Sequence, residues 1–191
     1  MQRIVLASQS PRRKQLLEWA EVTFDIIVPQ TDESFPPEIS INQMPIHIAR
    51  EKARSIQSEL SHERIILAAD TVVVLDNKVI GKPTDRAAAI HILQQLSARK
   101  HQVITGVVIL KGDTEVAFAD TTDVTFHQLS KEQIEFYVDK YKPYDKAGAY
   151  AIQEWIGVVG IKNISGDFYN VMGLPVSRVV RELENLGLGG L

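Results

Sequence analysis

The chain has 191 residues, 45% of them hydrophobic and 24% charged, with a net charge of −3 and no cysteine. That length suits one domain with a substantial core, and 1–191 is read as a single domain. The acidic balance argues against a general nucleic-acid binder, and the lack of cysteine excludes disulfides, thiolate catalysis and Cys-bound zinc.

No run approaches the roughly 20 apolar residues that span a bilayer. The first residues do not read as a signal peptide, so a cytoplasmic protein without a membrane partner is expected. Residues 3–8 predict a strand around Ile4, Val5 and Leu6, and 11–20 predict a helix. Ser8 and Ser10 are candidate caps for that helix, and Pro11 suits its first position. The helix start combines unpaired backbone N–H groups with Arg12 and Arg13, which makes an anion site suited to phosphate. A plainly capped helix with solvated arginines is the alternative.

Residues 23–28 predict a second short strand, followed by a polar loop over 30–41 that carries Asp32, Glu33, Pro36 and Pro37. Ile46, Ala49, Ala53, Ile56 and Leu60 recur at three- and four-residue spacing and predict a helix over 43–60. Arg50 and Arg54 lie off that stripe, and Lys52 flanks it. Ile65 to Leu75 is a continuous apolar run, expected to be a strand covered on both faces. Asp76-Asn77 predicts a tight turn into Lys78 to Ile80. Thr84 is expected to cap a helix over 85–97. Residues 102–110 and 115–126 predict paired strands that offer a sheet edge. Ser130 and Gln133 form a capping-box pattern opening a helix to about 140. Residues 147–173 read as glycine-bearing strand and loop, and Pro175 begins a last helix ending near Gly187. This alternation favours an α/β fold, a mixed twisted sheet flanked by helices, with two lobes around a cleft.

Asp70 interrupts the most apolar strand, and a carboxylate there needs a partner, a metal or a proton. Ending the buried part of a strand is the structural alternative. Gly81-Lys82-Pro83-Thr84 is not a P-loop, which would need Gly at 76 and Ser or Thr at 83, where Asp76 and Pro83 stand. Lys82 is left as a loop lysine suited to phosphate. Glu33 could join Asp70 around a divalent cation, since Mg²⁺ takes one or two protein carboxylates plus phosphate oxygens and water. Lys52 either points into a cleft or snorkels along its helix. Ser8 and Ser10 have no nearby histidine base, so nucleophilic serine catalysis has little support. The small residues of 145–153 would let backbone approach a flat base, or would pack as a tight loop.

Ser8-x-Ser10-Pro11-Arg12-Arg13, Ala69-Asp70-Thr71-Val72-Val73, Gly81-Lys82-Pro83, Asp145-Lys146-Ala147-Gly148-Ala149-Tyr150-x-Ile152-Gln153 and Val171-Met172-Gly173-Leu174-Pro175 occur in that order. Together they resemble the Maf family of nucleoside triphosphate pyrophosphatases over nearly the whole chain. The resemblance implies a fold like that of inosine triphosphate pyrophosphatases and cleavage between the α- and β-phosphates. It implies Asp70 as general base and Ser8, Arg12, Arg13, Lys52 and Lys82 as the phosphate-binding set. Glu33 and Asp70 would lie near a Mg²⁺ or Mn²⁺ ion. A homodimer is implied as well.

The family divides into a dTTP/UTP branch and a 7-methyl-GTP branch, and Arg12, Thr71 and Gln153 fall at the distinguishing positions. All three match the dTTP/UTP branch. The Gln amide both donates and accepts, which suits a neutral pyrimidine edge. Glu154 departs from that branch, which often has Gly after the Gln. The rival readings are a nucleotide- or nucleic-acid-binding regulator of division without catalysis, and the 7-methyl-GTP branch.

Overall fold

The computed structural model describes residues 3–32, 35–36 and 38–188. Among them the strands are β1 (Ile4–Leu6), β2 (Phe24–Ile26), β3 (Ile65–Leu75), β4 (Lys78–Ile80), β5 (Lys100–Lys111), β6 (Thr114–Phe126) and β7 (Ile161–Ser165). The helices are α1 (Pro11–Trp19), α2 (Met44–Gln57), α3 (Arg86–Leu96), α4 (Lys131–Tyr141), α5 (Trp155–Gly160), α6 (Phe168–Met172) and α7 (Val176–Asn185). The strands form one mixed sheet in the order β2-β1-β3-β5-β6-β7, with β4 paired to β3. β1 runs parallel to both β2 and β3, whereas β4 is antiparallel to β3 and β7 to β6. The expected edge over 102–126 is only partly covered, since β7 pairs with Asp123–Phe126 of β6 alone. In strand order β5 and β6 lie inside, β2 and β7 are at the two ends, and β4 pairs with β3 alone.

The chain divides into two compact units, residues 1–70, 105–120 and 173–191 in the first and 71–104 and 121–172 in the second. In the first unit, Ile46, Ala49, Ala53 and Ile56 of α2 pack with Val5, Ala7, Ile66, Ala68, Val108 and Leu110. The helical stripe and the strand pattern meet there, and burying these side chains supplies the main driving force. Alanines at 49, 53 and 68 keep helix and sheet close. Gly106 takes this furthest, because a Cβ there would lie 2.3 Å from Pro45 C and Ile46 N. Backbone approaches backbone at that point, and no side chain fits.

In the second unit, Val73, Val103 and Val124 form a core joined by Ile80, Ala147, Ile161 and Val171. The β3–β4 hairpin turns on Asp76 and Asn77, with φ of 50° and 59°, the left-handed pair that suits strand twist. α3 is capped by Asp85, whose carboxylate accepts from Ala88 N–H at 2.8 Å, rather than by Thr84. Asp is the better N-cap acceptor, and the two neighbours compete for the same position. α4 opens with the expected capping box between Ser130 and Gln133. Residues 147–173 hold more helix than expected, since α5 and α6 both form there.

Candidate active site

β1 and β3 are neighbouring parallel strands with Leu6 level with Leu67, and Ala7 N–H donates to Leu67 O at 2.8 Å. Ser8 therefore lies just past the carboxyl end of β1, and Asp70 lies within the neighbouring β3, three residues beyond Leu67, the last residue paired with β1. The chain leaves β1 through Ser8 and enters α1 at Pro11. Ser10 holds the N-cap position without a side-chain cap bond. The Ser8 hydroxyl accepts instead, from Ser10 N–H and from Arg13 Nη1, each at 3.2 Å. This corrects the expected capping roles and has a chemical consequence. A hydroxyl has two lone pairs and one proton, so an oxygen accepting twice is left to act as a donor. Ser8, 6% exposed, is thus set to donate to an anion and is a poor nucleophile.

Arg13 is buried, and its Nε donates to the Gly173 carbonyl at 2.8 Å. Gly173 has a φ of +115°, which lets the turn before α7 aim that carbonyl at the guanidinium. Arg12, the preceding residue, is half-buried. Lys52 on α2 is buried and directs Nζ to Asp70 Oδ1 at 2.8 Å, with side-chain exposures of 10% and 14%. Lys52 thus turns towards Asp70 rather than running along the edge of its helix. Asp70 has the cationic partner its apolar surroundings demand. Ser8, Arg12, Arg13, Lys52 and Asp70 all belong to the first unit. Such a set can hold a polyanion through charge-assisted bonds and offers one carboxylate to take a proton.

Thr71, Lys82 and Gln153 belong to the second unit. Thr71 follows Asp70 on β3 and is half-buried, while Lys82 and Gln153 are exposed. The Gly81 carbonyl accepts from Gly148 N–H at 3.2 Å, which brings the chain before Lys82 against the 3-10 turn Ala147–Ala149. Gly148 sits at φ +70°, and a Cβ there would lie 2.9 Å from Val73 Cγ2, so the small residues of this motif pack as a tight loop under β3. Glu33 lies outside the described residues. Among those described, no cluster of three or more His, Cys, Asp or Glu is arranged to hold a metal. Among the described residues no helix is long and apolar enough to cross a membrane.

The family model described as Maf-like protein matches residues 3–186. The chain belongs to the Maf family. It is 46% identical over 184 residues to the dTTP/UTP pyrophosphatase of Bacteroides thetaiotaomicron, across 96% of this chain and 95% of that protein. It is 47% identical over 183 residues to the dTTP/UTP pyrophosphatase of Cytophaga hutchinsonii, across 96% and 84%. Among solved structures, a nucleoside-triphosphatase described as a dITP/XTP pyrophosphatase from Mycobacterium abscessus overlaps at TM-score 0.39 and 16% identity, covering 65% of this chain and 72% of that one.

Two residues of this Maf chain escaped the sequence reading. Gly173 lay within the last motif, yet nothing marked its carbonyl as the partner of Arg13, 160 positions away. Tyr137 carried no motif at all. It is fully buried on α4, and its hydroxyl donates to Glu154 and accepts from Ala151 N–H at 3.2 Å. Only its place on the apolar stripe with Ile134 and Val138 could have flagged it, and that predicts burial alone.

Proposed function

We propose that this protein hydrolyses dTTP and UTP to the nucleoside monophosphate and pyrophosphate. Asp70 acts as general base, and Ser8, Arg12, Arg13, Lys52 and Lys82 act as the phosphate-binding set. Water attacks the α-phosphorus as its proton passes to Asp70, and the bond to the β-phosphate oxygen breaks with pyrophosphate as leaving group. Arg12, Thr71 and Gln153 select the base. The observation that carries this reading is the Lys52–Asp70 pair on the strand next to the one that ends in Ser8 and leads to Arg13. A buried cation, its carboxylate partner and a donor hydroxyl on neighbouring elements supply what a triphosphate and its attacking water require. The names of the relatives support the same substrates.

A divalent cation fits this donor set as a companion of the substrate. One carboxylate beside a cationic, oxyanion-binding surface suits Mg²⁺ or Mn²⁺, whose remaining ligands are phosphate oxygens and water. Asp70, with Glu33 as its family partner, would hold it, and when bound it would offset charge on the phosphates. Lys52 keeps the Asp70 carboxylate oriented, and Arg13 keeps Ser8 in its donating orientation.

The test is pyrophosphate release from a nucleotide panel with Mg²⁺ or Mn²⁺, comparing wild type with Asp70→Asn. Release from dTTP and UTP, lost in the variant, supports the reaction and the base together. Release that survives in a folded Asp70→Asn protein removes Asp70 from its role. Binding without release favours a regulator.

A further inference from the structure

Gln153 is exposed, yet the backbone on either side of it is held from three directions within the second unit. Tyr137 reaches from α4, accepting from Ala151 N–H at 3.2 Å and donating to the Glu154 carboxylate. Lys146, 8% exposed, lies 3.7 Å from the other Glu154 oxygen and 2.8 Å from Asp145. Gly157 closes the third side, since a Cβ there would fall 1.6 Å from the Ile152 carbonyl oxygen. The first turn of α5 is thereby folded against residue 152, and Gly157 N–H donates to Glu154 O at 2.9 Å. A tyrosine ring with no exposed surface is a rigid support, and it is stacked on Tyr141 with ring centres 5.0 Å apart.

We infer that Tyr137 and Glu154, with Lys146 behind them, are positioning residues that fix the Gln153 amide for base selection. This deepens the proposed function and rests on its assignment of Gln153. The phenol bonds the residue two before Gln153 and the residue one after it, so one oxygen sets the span that presents the amide. An exposed side chain on a loose loop would sample many rotamers, and ordering it would weaken nucleotide binding. The lock orders the backbone beforehand. The Glu154 carboxylate, as acceptor for Tyr137, does the holding.

The experiment compares Tyr137→Phe, Glu154→Ala, Glu154→Gln and Gln153→Ala with wild type on dTTP, UTP, CTP and 7-methyl-GTP, reading kcat and KM separately and the thermal midpoint of each protein. Tyr137→Phe and Glu154→Ala should raise KM for dTTP and UTP about tenfold, the loss of about one charge-assisted hydrogen bond, with kcat within about twofold. Selectivity over CTP should fall with it. Glu154→Gln keeps an acceptor for the phenol and should restore most of the wild-type KM. A purely structural role would lower the midpoint and leave KM and selectivity of the folded protein unchanged, and that result overturns the inference. Because Glu154 is at the surface end of the lock, its variants stay informative if Tyr137→Phe fails to fold. A Gln153→Ala that changes selectivity while both lock variants do not refutes the lock alone. A wild type inactive on every nucleotide, or a Gln153→Ala without effect, refutes the assignment of Gln153 and the lock with it.

Discussion

Lys52 Nζ and Asp70 Oδ1 are 2.8 Å apart, an ion pair linking α2 to β3 within the first unit. Replacing one partner differs from replacing the other. Asp70→Asn keeps an oxygen for the ammonium, so the fold should hold while kcat drops about 10²–10⁴-fold. Lys52→Met strands a carboxylate in low-dielectric surroundings. That costs about 3–5 kcal/mol for a fully buried pair, and about 2–3 kcal/mol here given the partial exposure of both groups. The double variant should recover much of that loss, which denaturant unfolding of all four proteins would read as a coupling. Additive losses would mean the pair contributes little.

His101 gives the protein an acid-side weakness. Its Nε2 bonds the Tyr150 hydroxyl at 2.7 Å, while Nδ1 is buried with no partner among the described residues. Burial pushes its pKa down from 6.5 to about 4, with the Asp123 charge opposing the shift. The unfolded chain takes up this proton near pH 6.5 and the folded chain only near pH 4. The contribution is therefore fully present above about pH 6.5 and is lost as pH falls towards 4, at up to about 1.4 kcal/mol per pH unit and about 3 kcal/mol in all. Unfolding of wild type and His101→Gln between pH 7 and 4 would show it. Wild type should lose stability more steeply, and parallel curves would refute the assignment.

Gly106→Ala should be severe for so small a change. The new methyl meets the backbone of Pro45 and Ile46, and backbone cannot rotate out of the way. The expected cost is about 1–3 kcal/mol or more. That is a fall in Tm of roughly 3–10 °C, at roughly 2–4 °C per kcal/mol for this size. Displacing the start of α2 also moves Lys52, so KM should rise with the loss of stability. Calorimetry paired with kinetics would separate the two effects.

Asp85→Ala should remove about 1 kcal/mol through loss of the α3 cap, whereas Thr84→Ala should fall within about 0.5 kcal/mol of wild type. Equal effects in thermal unfolding would return the cap to Thr84.

These neighbours show where sequence reasoning reaches its limit. Thr84 and Asp85 are both good caps, and only backbone dihedrals decide between them. β3 was readable in full because an 11-residue segment apolar but for Asp70 and Thr71 has few alternatives, and the Ser130–Gln133 box because it names its own geometry. α5 was missed for the converse reason. Ile156, Val158 and Val159 are β-branched, Gly157 interrupts them and Gly160 follows them, and a six-residue helix has little periodicity to detect. In the site, Asp70 stood out because a charge inside an apolar strand is anomalous. Its partner did not, because an amphipathic helix carries lysines at its edge as a matter of course. What turned Lys52 inward was the approach of α2 to β3 through small residues, a tertiary fact. Tyr137 was hidden for the same reason: a buried tyrosine declares its ring in the pattern and its hydroxyl only in the fold.

The margin of the sheet bears on how the protein behaves in crowded solution. β2 is three residues long, and Asp25 within it is clamped by Arg3 Nε at 2.9 Å and Arg64 Nη2 at 2.7 Å. A foreign strand approaching that side meets little backbone to pair with and a cluster of fixed charge. The long apolar run of β3, the segment best suited to a steric zipper, lies inside the sheet and is mostly buried. Ordered aggregation would have to begin by unfolding rather than by adding strands to the native fold, so at a given protein concentration fibril growth should follow the unfolded fraction and hence global stability.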